Sequence, residues 1–249
     1  ISDPRNIGLH LVYSQFRTLE GIGIFSLVLE KNGFARFKLT KNSANTWDID
    51  ISEADAGKPT YALYTGTESH EEREIIRNIY NGDWKFVPAN ISEQLRAKSN
   101  NNNTGDIIKV LMITSSGSEG INLRNTRFVH IMEPYWHEVR INQMIGRAIR
   151  YCSHYQLMSE DNMYPEVLLF KYAVGLTNGK LSTEEELYYK AELKHILIKK
   201  VERGLKEVAF DCPLLMAGNV FKQEVEEFKK CIKPNEELVK ESIKGKDVN

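Results

Sequence analysis

Two short apolar runs, Lys109–Thr114 and Phe128–Met132, are separated by a serine- and glycine-rich segment, Ser115–Leu123 (SSGSEGINL), and the second run leads into a helical span. This order constrains the fold more than any other feature of the chain. Brief runs of β-branched and apolar residues bounded by Ser, Gly, Asn or Pro read as buried strands. Strands that alternate with helices of this length build a parallel α/β sheet. A buried strand that ends in a Ser/Gly loop presents backbone N–H groups and hydroxyls to phosphates at the carboxyl edge of such a sheet.

The same alternation continues on both sides. Gly8–Ser14, Tyr61–Thr65 and Glu166–Val174 read as strands. Thr18–Asn32 reads as a helix with Leu19, Ile22, Phe25, Ser26 and Leu29 inward and Gly33 as its stop. Ser69–Tyr80 reads as a second helix, with Ser69 as N-cap and Glu71 and Glu72 at its positive end. Residues 36–60 are polar and irregular and predict an inserted loop or a short hairpin, and residues 89–106, with four consecutive asparagines, predict a mobile surface loop. After about residue 176 the pattern becomes helical. Ser182 and Glu185 form a capping box ahead of an apolar set, Leu193, Ile196, Leu197, Val201, Leu205 and Val208. Phe221, Val225, Phe228 and Ile232 repeat the spacing up to Pro234, and residues 240–249 read as a solvated tail. The expected division is an α/β domain over 1–175 and a helical extension over 176–249.

Gln143–Arg150 (QMIGRAIR) carries the chemistry. Read as the start of a helix, it places Gln143, Gly146, Arg147 and Arg150 on one face. Gly146 leaves room for close approach, and two fork-shaped guanidinium groups suit a phosphate whose charge grows in a transition state. Tyr135 and Trp136, which follow the 128–132 strand, are expected to pack rather than to stack on a base.

Together, SSGSEGINL (115–123) and HIMEPYWHEVRINQMIGRAIR (130–150) resemble motifs V and VI of the superfamily 2 helicases and translocases. LHLVYSQF (9–16) resembles their motif IV, and YTGTESHEERE (64–74) resembles the strand, turn and helix that follow it, with Gly66 at the turn and Arg73 on the helix. The pieces stand in family order over about residues 7–175, and their wording is similar to the transcription ATPases of large DNA viruses. The resemblance implies a three-layer, RecA-like sheet flanked by helices: the second lobe of an ATP-dependent motor. It implies that Arg147 and Arg150 are arginine fingers, and that Gln143 contacts the nucleotide or the attacking water. Gly117, Glu119, Gly120, Asn122 and Gly146 would line the nucleotide side. Ser14, Gln15, Thr65, Gly66, Thr114, Ser115 and Ser116 would meet nucleic acid, although plain strand-end capping explains Ser14, Gln15 and Thr65 equally well. The implied cofactor is ATP with Mg²⁺, held mainly by an N-terminal lobe. The implied partners are DNA or RNA, that lobe, and transcription machinery. The implied compartment is intracellular: cytoplasm or virion for a viral protein, with the nucleus as the other choice. A non-catalytic binding module and a Swi/Snf-type DNA translocase are the rival readings.

Nowhere in the chain is there a GxxxxGK[ST] loop or a strand ending in DExx carboxylates, so the chain by itself is expected to be inactive. Gly175–Ser182 has the wrong glycine spacing for such a loop, and Leu181 stands where the magnesium-binding hydroxyl belongs. The opening ISDPRNIGLH lacks both Met and a signal-peptide pattern, which predicts a piece of a longer protein. Cys152, Cys212 and Cys231 form no CxxC pair, and His137, Cys152 and His154 lack a fourth ligand at metal spacing, so no metal is expected. A net charge of -1 argues against a module that binds nucleic acid by basic surface alone.

Overall fold

The computed structural model describes residues 1–209, apart from Pro4, Leu19, 116–119 and Asn178. In chain order the elements are β1 Leu9–Tyr13, α1 Ile22–Lys31, β2 Ala35–Arg36, β3 Leu39–Lys41, β4 Trp47–Ile49, β5 Thr60–Tyr64, α2 His70–Tyr80, α3 Ala89–Lys98, β6 Val110–Ile113, β7 Thr126–Ile131, α4 Glu138–Ala148, β8 Leu168–Lys171 and α5 Thr183–Glu207. Six strands make one sheet in the order β2-β5-β6-β1-β7-β8, and every pair in it is parallel. Parallel strands need crossovers, and the helices between them lay their apolar faces on the sheet.

Alternate side chains of β1, β5 and β6 feed two cores, and β7 adds to the first. On one face Leu9, Leu11, Tyr13, Ala62, Tyr64, Leu111, Ile113, Val129 and Ile131 meet Ile75, Ile76 and Ile79 of α2, Ile91 and Leu95 of α3, and Ile141, Met144 and Ala148 of α4. On the other face Val12, Tyr61, Val110 and Met112 meet Ile22 and Leu29 of α1. This is the parallel α/β sheet that the strand–helix alternation predicted, in the three-layer, RecA-like form that the resemblance implied. Beside the second core, His10, Phe128, His130, Phe170 and Tyr172 stack across β1, β7 and β8, with ring centroids 4.3 to 6.4 Å apart.

Two expectations need correction. Helix α1 begins at Ile22 rather than Thr18. The loop before it folds back so that the Phe16 carbonyl accepts from the Ile22 N–H at 3.0 Å. A Cβ on Gly21 would collide with that same carbonyl oxygen and with the Ser14 hydroxyl, so the tight loop needs glycine there. Residues 89–106 are not a mobile loop, because Ala89–Lys98 is helix α3. The asparagine tract is structural as well. Asn102 is fully buried, and its amide donates to the Tyr80 and Ile108 carbonyls at 3.0 Å while its oxygen accepts from the N–H groups of Ile107 (2.9 Å) and Ile108 (3.1 Å). Residues 36–60 hold the short hairpin, β3 against β4.

The chain divides into two compact units, Ile1–Tyr188 and Tyr189–Asn249. At the start of α5, Ser182 and Glu185 complete the capping box, the Ser182 N–H donating to the Glu185 carboxylate at 2.7 Å and the Glu185 N–H to the Ser182 hydroxyl at 3.1 Å. Leu193, Ile196, Leu197, Val201 and Leu205 lie on this helix and are exposed, as is Val208 just past its end. The 221–232 helix and the 240–249 tail lie outside the described residues.

Candidate nucleotide and nucleic-acid sites

Helix α4 starts at Glu138 and ends at Ala148, so Gln143–Arg150 spans its last turns and exit, not its start. Ile141, Met144 and Ala148 are buried against the sheet, Gln143 is exposed, and Gly146 and Arg147 are half-buried. The helix stops at Ile149, with φ -109 and ψ 98. Arg150 therefore does not share the helix face by continuation. It is returned there by its side chain, whose Nε donates to the Gly146 carbonyl at 3.0 Å, while its N–H donates to the Ser153 hydroxyl at 3.1 Å. A Cβ on Gly146 would meet nothing within 4 Å, so the space beside the two arginines is open. Among the described residues no carboxylate pairs with Arg147 or Arg150.

The exit from the glycine loop is joined to this helix end. The Leu123 N–H donates to the Arg147 carbonyl at 3.2 Å, and the Asn125 N–H to the Ser153 carbonyl at 2.9 Å. Asn81, at the end of α2, holds the same loop from the other side: its amide donates to the Asn122 carbonyl at 3.0 Å and its oxygen accepts from the Arg124 N–H at 2.9 Å. Arg124 is tied to Asp83 at 2.9 and 3.0 Å. The outcome is an open depression of 560 Å³ lined by Asn122, Arg124, Arg150, Tyr151, Cys152 and Ser153. Sequence reading missed Asn81, Asp83 and Arg124, since a clamp between positions 41 apart leaves no local pattern. Gly120 takes φ +74, the left-handed region that favours glycine. Ser116, Gly117 and Glu119 lie outside the described residues. Both ring nitrogens of His154 are engaged within the fold, by the Ser153 hydroxyl at 2.8 Å and the Thr126 carbonyl at 2.7 Å.

The remaining candidates gather at the opposite, carboxyl edge of the sheet, beyond the ends of β1, β5 and β6. Ser14 and Thr65 are fully buried and Thr114 is nearly so, while Gln15 and Ser115 are half-buried and Gly66 is exposed. The Ser14 hydroxyl donates to Glu133, which also accepts from the Gln15 N–H at 3.2 Å; the Gln15 amide donates to the Pro134 carbonyl at 3.3 Å. Burial pushes the Glu133 carboxyl above its ordinary range, opposed by these bonds. The Thr65 N–H and hydroxyl each donate to Glu68 at 2.7 Å. There burial acts upward, but the bonds from Thr65 and Thr67 outweigh it and hold Glu68 low. The hydroxyls of Ser14 and Thr65 thus shape their strand-end loops, the capping role weighed from the sequence. Trp136, expected to pack, is 62% exposed. Tyr135 does pack, half-buried, with Arg140 4.7 Å over its ring and donating to its hydroxyl at 2.8 Å.

The model of the helicase conserved C-terminal domain matches residues 88–152. The chain is 33% identical to L377 of Acanthamoeba polyphaga mimivirus, named an ATP-dependent RNA helicase, over 91% of this chain and 20% of that protein. It is 49% identical to mimivirus L538, of the same name, over 48% of this chain and 28% of that protein. It is 26% identical to the termination factor NPH-I homolog of African swine fever virus over 83% of this chain and 29% of that protein. Among solved structures, the C-terminal part of the Fun30 ATPase domain aligns with TM-score 0.43 and 14% identity, covering 74% of this chain and 39% of that one. Together these matches support a superfamily 2 helicase C-terminal lobe. The chain spans 20 to 29% of the length of these viral relatives. No helix among the described residues is long and apolar enough to cross a membrane.

Proposed function

We propose that this lobe completes an ATP site whose P-loop and Mg²⁺-binding carboxylates belong to a preceding lobe, and that it helps move a nucleic-acid strand during viral transcription. The observation that carries this reading is the pair Arg147 and Arg150. Both flank the open face at Gly146, and among the described residues neither is spent on a carboxylate. Unpaired guanidinium groups beside an open backbone fit the terminal phosphate of a nucleotide. Bound ATP supplies the phosphoanhydride bond whose hydrolysis drives motion.

The chain's own groups do the following. Arg147 and Arg150 neutralise charge that grows on the phosphoryl oxygens. Gln143, one turn before Arg147 on the same helix face, orients the attacking water. Leu123, bonded to the Arg147 backbone, passes helix movement to the glycine loop and so to the strand that ends at Thr114 and Ser115. Asn122 and Gly120 belong to that loop. Ser14, Gln15, Thr65 and Gly66 frame the neighbouring edge on which the nucleic acid lies. The names of the mimivirus and African swine fever virus relatives support RNA-linked work in transcription.

The test joins the chain to the lobe that precedes it in its gene and assays ATP hydrolysis with and without single-stranded nucleic acid. Stimulated hydrolysis that needs both lobes is expected. A two-lobe protein that folds but hydrolyses no ATP under any nucleic acid favours the binding-module reading.

A further inference from the structure

Arg150 stands two residues past the end of α4 at Ala148, and its backbone is held by the residues that follow it. Its N–H donates to the Ser153 hydroxyl at 3.1 Å, and its carbonyl accepts from the Ser153 N–H at 3.0 Å. The turn between them passes through Cys152 at φ +60, a left-handed backbone that a side chain resists, so the turn persists only where its surroundings hold it. They hold it from the start of β7. The Asn125 N–H donates to the Ser153 carbonyl at 2.9 Å, and His154 Nε2 lies 2.7 Å from the Thr126 carbonyl. A carbonyl only accepts, so Nε2 carries a hydrogen, and in the neutral ring Nδ1 is the acceptor. The Ser153 hydroxyl lies 2.8 Å from that Nδ1 and donates to it. The Arg150 carbonyl, at 2.9 Å, competes for the same proton, and in either case the hydroxyl oxygen remains to accept the Arg150 N–H. Ser153 is buried, and so is Thr126.

The side chain of Arg150 is fixed at one point, Nε on the Gly146 carbonyl, and its two terminal nitrogens have no protein partner among the described residues. A charged donor stabilises a transition state when it is in place before the charge develops, and a displacement of about 1 Å can cost about 100-fold in rate. Arg147 lies within α4 and owes its place to the helix. Arg150 has left the helix and needs another anchor. We propose that Ser153 is a positioning residue for ATP hydrolysis: its hydroxyl, held by His154 from the Thr126 carbonyl, sets where Arg150 meets the terminal phosphate. This rests on the role given to Arg150 above and deepens it. Ser153 acts through Arg150 alone and touches no nucleotide itself.

The test is a double-mutant cycle between positions 150 and 153 in the two-lobe protein, read by steady-state ATP hydrolysis. Ser153→Ala should lower kcat about 10- to 100-fold and leave the KM for ATP within a few-fold, because a contact of the transition state is lost and ground-state binding is not. Ser153→Thr, which keeps a hydroxyl, should recover most of the loss. In the Arg150→Ala background, Ser153→Ala should lower kcat no further, since no arginine is left to place. Amide hydrogen exchange of the chain alone gives a readout independent of activity: the Arg150 N–H should exchange about 5-fold faster in Ser153→Ala. Thermal melting checks folding, and Ser153→Cys, close in size but a weak acceptor, carries the same expectations if the alanine variant does not fold. A kcat that survives Arg150→Ala, or an unmodified protein without activity, overturns the role of Arg150 and the positioning together. A kcat that falls in Arg150→Ala but not in Ser153→Ala, losses that multiply in the double variant, or unchanged exchange at Arg150 overturns the positioning and leaves the role of Arg150 standing.

Discussion

Acidification should destabilise this lobe through two buried histidines. His10 Nδ1 lies 3.0 Å from His130 Nε2, and His130 Nδ1 lies 2.8 Å from the Tyr172 hydroxyl. Burial lowers the His10 pKa from 6.5 to about 3, reinforced by the facing His130. Burial likewise lowers His130 from 6.5 to about 4. Both folded values lie below the unfolded ones, so the unfolded chain takes up the protons first. Stability is then complete above pH 6.5 and is lost as the pH falls from there toward the folded values. Between about pH 7.5 and about pH 5, each histidine should remove about 2 kcal/mol, or about 4 kcal/mol for the pair, a large part of a typical domain's stability. Glu133 works the other way, because its raised carboxyl is protonated earlier in the fold than outside it. Urea midpoints at the two pH values measure the loss. His10→Phe keeps a ring against Phe128, 4.3 Å away in the native stack, and removes one proton site, so it should about halve the loss. Equal stability at both pH values, or a loss unaltered in His10→Phe, would refute the reasoning.

Other substitutions report on the scaffold. Asn102→Ala removes four hydrogen bonds from a fully buried site and should cost about 2 to 4 kcal/mol by denaturant titration. Gly21→Ala drives a methyl group into the Phe16 carbonyl and should lower the melting temperature by several degrees, roughly the effect of 1 to 3 kcal/mol in a domain of this size. Ser182→Ala removes one half of the capping box and should cost about 1 kcal/mol, seen as reduced helix content or an earlier melt by circular dichroism.

Much of the α/β fold was legible because its signals are local. The strands β1, β5, β6 and β7 occupy their predicted runs to within two residues, since each is a plain apolar run buried in the sheet, whereas the exposed edge strand β8 ends three residues short of its expected end and β2 was not foreseen. Ser69 caps α2 through the Glu72 N–H at 3.1 Å, as its position predicted. What escaped depends on distant partners. Four asparagines in a row carry a loop signature, yet Asn102 ends up bonded to Tyr80, twenty-two positions away. Trp136 follows a strand, as packing aromatics do, yet it is 62% exposed just past the loop that Glu133 braces. Arg150 illustrates a boundary effect. Helical spacing placed it beside Gly146, and it is there, but by a side-chain bond made after the helix has ended.

The account depends most on Arg147 and Arg150 acting on a nucleotide across a gap between lobes. The direct measurement is steady-state ATP hydrolysis by the two-lobe protein and its Arg147→Ala and Arg150→Ala variants at saturating single-stranded nucleic acid. A drop in kcat of about 10³-fold for at least one variant, with nucleic-acid affinity preserved, is predicted. A kcat within a few-fold of the unmodified protein in both variants would contradict it.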